Sequence, residues 1–110
     1  MARRIVDIVS DKQAIDVVML DLHDVSLIAD YFVICSGTSE RQIKAISDDV
    51  RETLARDEKL KPRHIEGVPD SGWVLLDYGG VVAHIFSPDM REFYRLEKIW
   101  SMAVPVLRIA

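Results

Sequence analysis

Two adjacent glycines, Gly79 and Gly80, separate two β-prone runs, Gly72-Trp-Val-Leu-Leu-Asp-Tyr78 and Val81-Val-Ala-His-Ile-Phe86. A type I′ turn needs φ > 0 at both central positions, which glycine takes without steric cost, so the pair predicts a β-hairpin. A two-residue turn also fixes the register. On one face Tyr78 stands opposite Val81, Leu76 opposite Ala83 and Val74 opposite Ile85. On the other, Asp77 stands opposite Val82, Leu75 opposite His84 and Trp73 opposite Phe86. The first face is almost wholly aliphatic and calls for a layer of helices over it. The second mixes large aromatics with a few polar groups, as the centre of a binding surface does. A second covering layer is the alternative reading of that face. Ser87-Pro88 then opens a helix, because serine accepts an orphan N–H at the N-cap and proline at the first helical position gives up only an N–H without a partner.

Upstream, Ile5, Ile8 and Val9 recur at three and four residues and predict a short amphipathic helix over residues 3–13. Two buried strands follow, Val17-Val-Met-Leu-Asp-Leu22 and Tyr31-Phe-Val-Ile-Cys-Ser36. Gly37 closes the second, and Ser39-Glu-Arg-Gln42 has the form of a capping box, with Ser39 accepting from the Gln42 N–H and the Gln42 side chain reaching back. The helix after it carries Ile43, Ile46, Val50 and Leu54 on one stripe and stops in the charged segment before Pro62. Residues 63–66 form a short edge strand and 67–72 a loop. In the last helix Met90, Phe93, Leu96, Glu97 and Trp100 share a side, and Pro105 ends regular structure. This order describes an α/β fold, a mixed β-sheet with helices packed on it, and a crossover after Ser36 that handedness rules make right-handed.

At 110 residues the chain buries roughly two-thirds of its unfolded surface and reads as one domain over 1–110, with a core of about 4–101 and an apolar tail at 102–110. Cys35 is the only cysteine, which predicts a reducing, cytoplasmic setting. No apolar run is long enough to read as a secretory signal or a membrane span. Asp and Glu outnumber Lys and Arg by 18 to 14, for a net charge of −4, so direct general binding to nucleic acid is not expected. An acidic chain suits a basic protein partner.

Catalytic constellations are mostly missing. Gly37-Thr38-Ser39 at a strand-to-helix junction resembles an anion cradle, but it lacks the lysine and second glycine of a P-loop, and a capped tight turn explains it. Asp48 and Asp49 point about 100° apart on a helix, which does not suit a shared metal. Asp77 and His84 are diagonal neighbours on one hairpin face, so a histidine oriented by a carboxylate, working with the Gly37 turn, is the enzymatic alternative as a small nucleotidyltransferase or hydrolase. His23, His64 and His84 are scattered and predict no metal site; no cofactor is expected either.

Several segments agree in order and spacing with one family. They are residues 17–22, Ala29-Asp-Tyr-Phe-Val-Ile-Cys-Ser-Gly-Thr-Ser-Glu-Arg-Gln-Ile-Lys-Ala-Ile46, Glu66-Gly67, Trp73-Val-Leu-Leu-Asp-Tyr-Gly79, His84-Ile-Phe86 and Phe93-Tyr-Arg-Leu-Glu-Lys-Ile-Trp100. On these the chain resembles the ribosomal silencing factor family, also called Iojap or YbeB-like. The resemblance implies a nucleotidyltransferase-like sandwich lacking catalytic carboxylates, and no enzyme. It implies a homodimer that binds large-subunit ribosomal protein fourteen at the intersubunit face, blocks joining of the subunits and represses translation under nutrient limitation. The second hairpin face, with Tyr78 from beside the turn, then supplies the expected contact residues Trp73, Leu75, Asp77, Tyr78, His84 and Phe86. Asp77 is expected to meet a positive group of the partner, with bracing of its own turn as the alternative. One departure is Gly80, where the family usually has an acidic residue.

Overall fold

In the computed structural model, which describes residues 1–23, 29–94 and 104–109, the chain runs α1 (Ala2–Asp11), β1 (Ile15–Asp21), β2 (Tyr31–Ser36), α2 (Glu40–Asp57), β3 (His64–Val68), a 3₁₀ turn (Pro69–Ser71), β4 (Trp73–Asp77), β5 (Val81–Phe86), α3 (Pro88–Tyr94) and β6 (Val104–Ile109). The six strands form one mixed sheet in the order β3-β4-β5-β2-β1-β6. β2 and β5 pair in parallel and every other neighbouring pair is antiparallel. α2 carries the crossover from β2 to the far edge at β3, and two antiparallel steps return the chain to β5 beside β2.

Both long helices lie on the aliphatic face. Ile5, Val6, Ile8 and Val9 of α1 and Ile43, Ile46, Val50 and Leu54 of α2 close over Val33, Cys35, Val74, Leu76, Ala83 and Ile85. The α2 stripe is at most 2% exposed, and each side chain so buried contributes roughly 1.5–3 kcal/mol. Within this core, burial pushes the Cys35 thiol up to about 12, so it packs as a small apolar group and stays protonated.

Ser39 caps α2, its Oγ accepting the Gln42 N–H at 3.1 Å. The Gln42 side chain does not return to Ser39. It reaches one residue further, where Oε1 accepts from the Thr38 N–H at 2.6 Å and the Thr38 hydroxyl at 2.9 Å. Its Nε2 donates to the carbonyls of Lys12 at 3.3 Å and Gln13 at 3.0 Å. Carbonyls at a helix end need outside donors, and an amide offers donor and acceptor together, so Gln42 ties the end of α1 to the start of α2.

The β4–β5 register agrees with the turn-length argument at every pair from Trp73↔Phe86 to Asp77↔Val82. The turn differs in type: of its two glycines only Gly79, at φ 92°, has positive φ, which is the II′ pattern and not I′. Neighbouring chain accounts for the change, because the Gly80 carbonyl accepts from the N–H groups of Asp30 at 2.7 Å and Tyr31 at 3.0 Å.

The segment read as an apolar tail is β6, paired antiparallel with β1 from Val17↔Ile109 to Asp21↔Val104. Pro105 lies inside this strand and does not end regular structure. β6 is at the sheet edge, where a missing N–H is tolerated, and its register shifts beside Pro105. Of the last-helix stripe, positions 95–100 lie outside the described residues.

Candidate docking face

On the face opposite α1 and α2, strand register lines side chains into rows across β3, β4 and β5. Val68, Trp73 and Phe86 form one row, Glu66, Leu75 and His84 the next, and His64, Asp77 and Val82 the third. The rows continue into β2 and β1 through Ile34, Phe32, Val18 and Leu20. Exposure falls steeply along them. Val68 is 54% exposed, Trp73 half-buried and Phe86 1% exposed, while Glu66 is exposed, Leu75 half-buried and His84 4% exposed. α3 contributes to the cover over the inner strands. Ser87 caps it by accepting the Met90 N–H at 3.2 Å, Met90 packs on the apolar cluster, and Arg91 donates to the Ser36 hydroxyl and the Asp16 carbonyl. The face is therefore covered at β5, β2 and β1 and open at the β3–β4 margin.

The six expected contact residues separate accordingly. Trp73 and Leu75 lie on the open margin. His84 and Phe86 are buried, because β5 is an inner strand with β4 and β2 on either side. Tyr78 belongs to the other face. Opposite Val81 across the turn, it packs against the helix-side core; its hydroxyl is buried without a hydrogen-bond partner among the described residues, and burial raises its pKa. Asp77 is half-buried and braces its own turn, Oδ1 accepting the Gly79 N–H at 2.7 Å.

Asp77 and His84 do not form the pair an enzyme would use. The His84 Nδ1 instead faces the Trp73 indole Nε1, 3.4 Å away. The Trp73, His84 and Phe86 ring planes lie within 12° of one another, with Phe32 tilted at 60° and 4.6 Å from the imidazole. Desolvation pulls the His84 pKa down from 6.5 to about 4, so the ring is neutral near pH 7.

Sequence reasoning missed Val68 and Glu66 at the open edge and Phe32 and Met90 beneath it. The signal for Val68 was its place before Pro69, where a β-branched residue extends a strand into the 3₁₀ turn. A loop over 67–72 would leave Val68 out of the row, but β3 runs on to Val68. Gly67 is why the strand continues. It holds φ 78°, and a Cβ there would stand 2.2 Å from the Trp73 carbonyl oxygen.

The Gly37 turn is a packing device. A Cβ on Gly37 would meet the Ile43 Cγ1 at 2.9 Å, so glycine lets α2 approach the sheet. The cleft of about 340 Å³ beside it has Glu40, Asp70 and Asp89 as its charged lining among the described residues, and that acidity opposes binding of phosphate. At the hairpin corner, a Cβ on Gly80 would lie 3.0 Å from Asp30 Oδ2, so a carboxylate from the neighbouring segment stands beside Gly80. Asp30 is also 3.5 Å from the Nε2 of His23, whose Nδ1 is 2.6 Å from Asp21 Oδ1. His23 holds the Asp21 carboxyl below its usual range, chiefly through its backbone N–H. Among the described residues no group of three His, Cys, Asp or Glu side chains is placed to hold a metal ion.

A helix-backed mixed sheet with a half-open apolar margin offers a surface suited to binding a partner. The family model described as ribosomal silencing factor during starvation matches residues 1–109, and the chain belongs to that family. It is 43% identical over 101 residues to ribosomal silencing factor RsfS of Halalkalibacterium halodurans, covering 92% of this chain and 86% of that protein. It is 33% identical over 103 residues to the mouse protein named mitochondrial assembly of ribosomal large subunit protein 1, covering 89% of this chain and 44% of the relative. A crystal structure of a Chromobacterium violaceum protein superposes with a TM-score of 0.83 at 27% identity, covering 92% of this chain and 87% of that one. Ribosomal silencing factors are regulators, and on that ground the chain is not an enzyme. No helix among the described residues is long and apolar enough to cross a membrane.

Proposed function

We propose that the chain docks on the large ribosomal subunit in the cytoplasm, contacts large-subunit ribosomal protein fourteen through the β3–β4 margin, and so blocks joining of the small subunit and represses translation when nutrients are scarce. Family membership over residues 1–109 carries this reading. The margin supplies a surface for it: Val68, Trp73 and Leu75 give apolar area, and Glu66 and Asp77 give negative charge beside it. A net charge of −4 suits a basic ribosomal protein, and complementarity of that kind raises the association rate and selects the partner.

Co-sedimentation with purified subunits tests the proposal. The protein is expected to travel with free large subunits and to be absent from joined ribosomes. Equal recovery on joined ribosomes, or recovery on neither, would overturn it. Free in solution the chain is proposed to form a homodimer, the commonest closed assembly. Light scattering at micromolar concentration that returns the monomer mass removes that part.

A further inference from the structure

His84 is a costly choice for the middle of an apolar sheet. The Trp73 indole N–H is a donor only, so the His84 Nδ1 that faces it at 3.4 Å must be the acceptor, which puts the imidazole proton on Nε2. That Nε2 is buried and has no hydrogen-bond partner among the described residues. An apolar side chain of similar bulk would avoid a buried, unpaired donor. The ring lies against Phe86, with planes within 3° and centroids 6.0 Å apart, and against Phe32, with centroids 4.6 Å apart, contacts that restrict its orientation. What the imidazole supplies and a leucine would not is an acceptor aimed at Trp73.

We infer that His84 is a positioning residue: buried in the sheet, it accepts the Trp73 indole N–H and sets the angle at which Trp73 presents its outer edge to the large subunit. This rests on the docking reading given above. At 4% exposure His84 itself offers almost no surface to a partner. Fixing one tryptophan rotamer before binding removes an ordering cost at the moment of association, which improves affinity without adding a contact.

Two substitutions separate positioning from mere packing. His84→Leu removes the acceptor and the unpaired donor but keeps apolar bulk. His84→Asn is smaller, yet its side-chain oxygen falls close to where Nδ1 was. In His84→Leu the Trp73 indole N–H resonance, assigned by its loss in Trp73→Phe, is expected to shift and lose its protection from hydrogen exchange. Affinity for large subunits is expected to fall about tenfold while the melting temperature holds or rises. In His84→Asn the resonance, its protection and the affinity are expected to recover although the smaller side chain lowers the melting temperature. An indole resonance and protection unchanged in His84→Leu overturn the inference. So does affinity that follows melting temperature across the two variants. Failure of the wild-type protein to bind large subunits would overturn the docking reading and the docking role with it, while the resonances alone still show whether His84 orients Trp73.

Discussion

Trp73 has two jobs on one side chain. Its outer part lies on the open margin, and its inner part packs on the cluster that includes Phe86 and donates to His84. Trp73→Ala is therefore expected to weaken binding to large subunits roughly thirtyfold, about 2 kcal/mol, and also to lower the melting temperature by several degrees. Binding that persists in a destabilised variant would place the contact elsewhere on the face. Asp77 divides differently. Asparagine keeps an oxygen for the Gly79 N–H, whereas alanine leaves that N–H without its 2.7 Å partner and is expected to cost about 1 kcal/mol. If the carboxylate also meets a basic group, Asp77→Asn weakens binding through faster dissociation at an unchanged melting temperature. Equal dissociation rates in wild type and Asp77→Asn would reduce Asp77 to its turn.

At the scale of elements, β3 depends on one residue. Gly67 combines φ 78° with a carbonyl oxygen 2.2 Å from where a Cβ would sit, so Gly67→Ala strains the backbone and pushes β4 away. Its expected signature is loss of hydrogen-exchange protection at β3 and β4 amides while β1 and β2 keep theirs; protection unchanged along β3 would show that the strand absorbs the extra carbon. The elements differ in how far local sequence specifies them. Turn length sets the β4–β5 register, and a 3.6-residue stripe sets the buried side of α2, so both are legible from a few neighbouring residues. The burial of His84 and Phe86 is not, because it follows from β5 lying beside β2 and under α3, a neighbourhood set by the crossover. Tyr78 is next to Asp77 along the chain, but the pleat sends adjacent side chains to opposite faces, and the two-residue register already sets it opposite Val81 on the helix side. Pro105 reads as a stop in isolation and is admissible once β6 is known to be an edge.

For the whole molecule, acid is the simplest probe. His84 ionises near 6.5 in an unfolded chain and at about 4 in the folded one. Between those values the unfolded chain binds a proton that the folded protein excludes, so stability falls as pH drops through this window and levels off below it. The loss amounts to roughly 3 kcal/mol. Urea titrations at pH 7 and pH 4.5, compared with His84→Leu, isolate this slope from the carboxylates, and identical slopes in both proteins would show that His84 titrates normally. The strand order also governs how fast the molecule assembles. β3 with β4 and β4 with β5 join neighbours along the chain, but β2 must find β5 from Tyr31↔Val81 onward, and β1 must find β6 from Val17↔Ile109. Loops that long must close before their pairings give any return, so the search for those two seams sets the pace, and folding on the order of milliseconds to seconds is expected instead of the microseconds open to helical bundles.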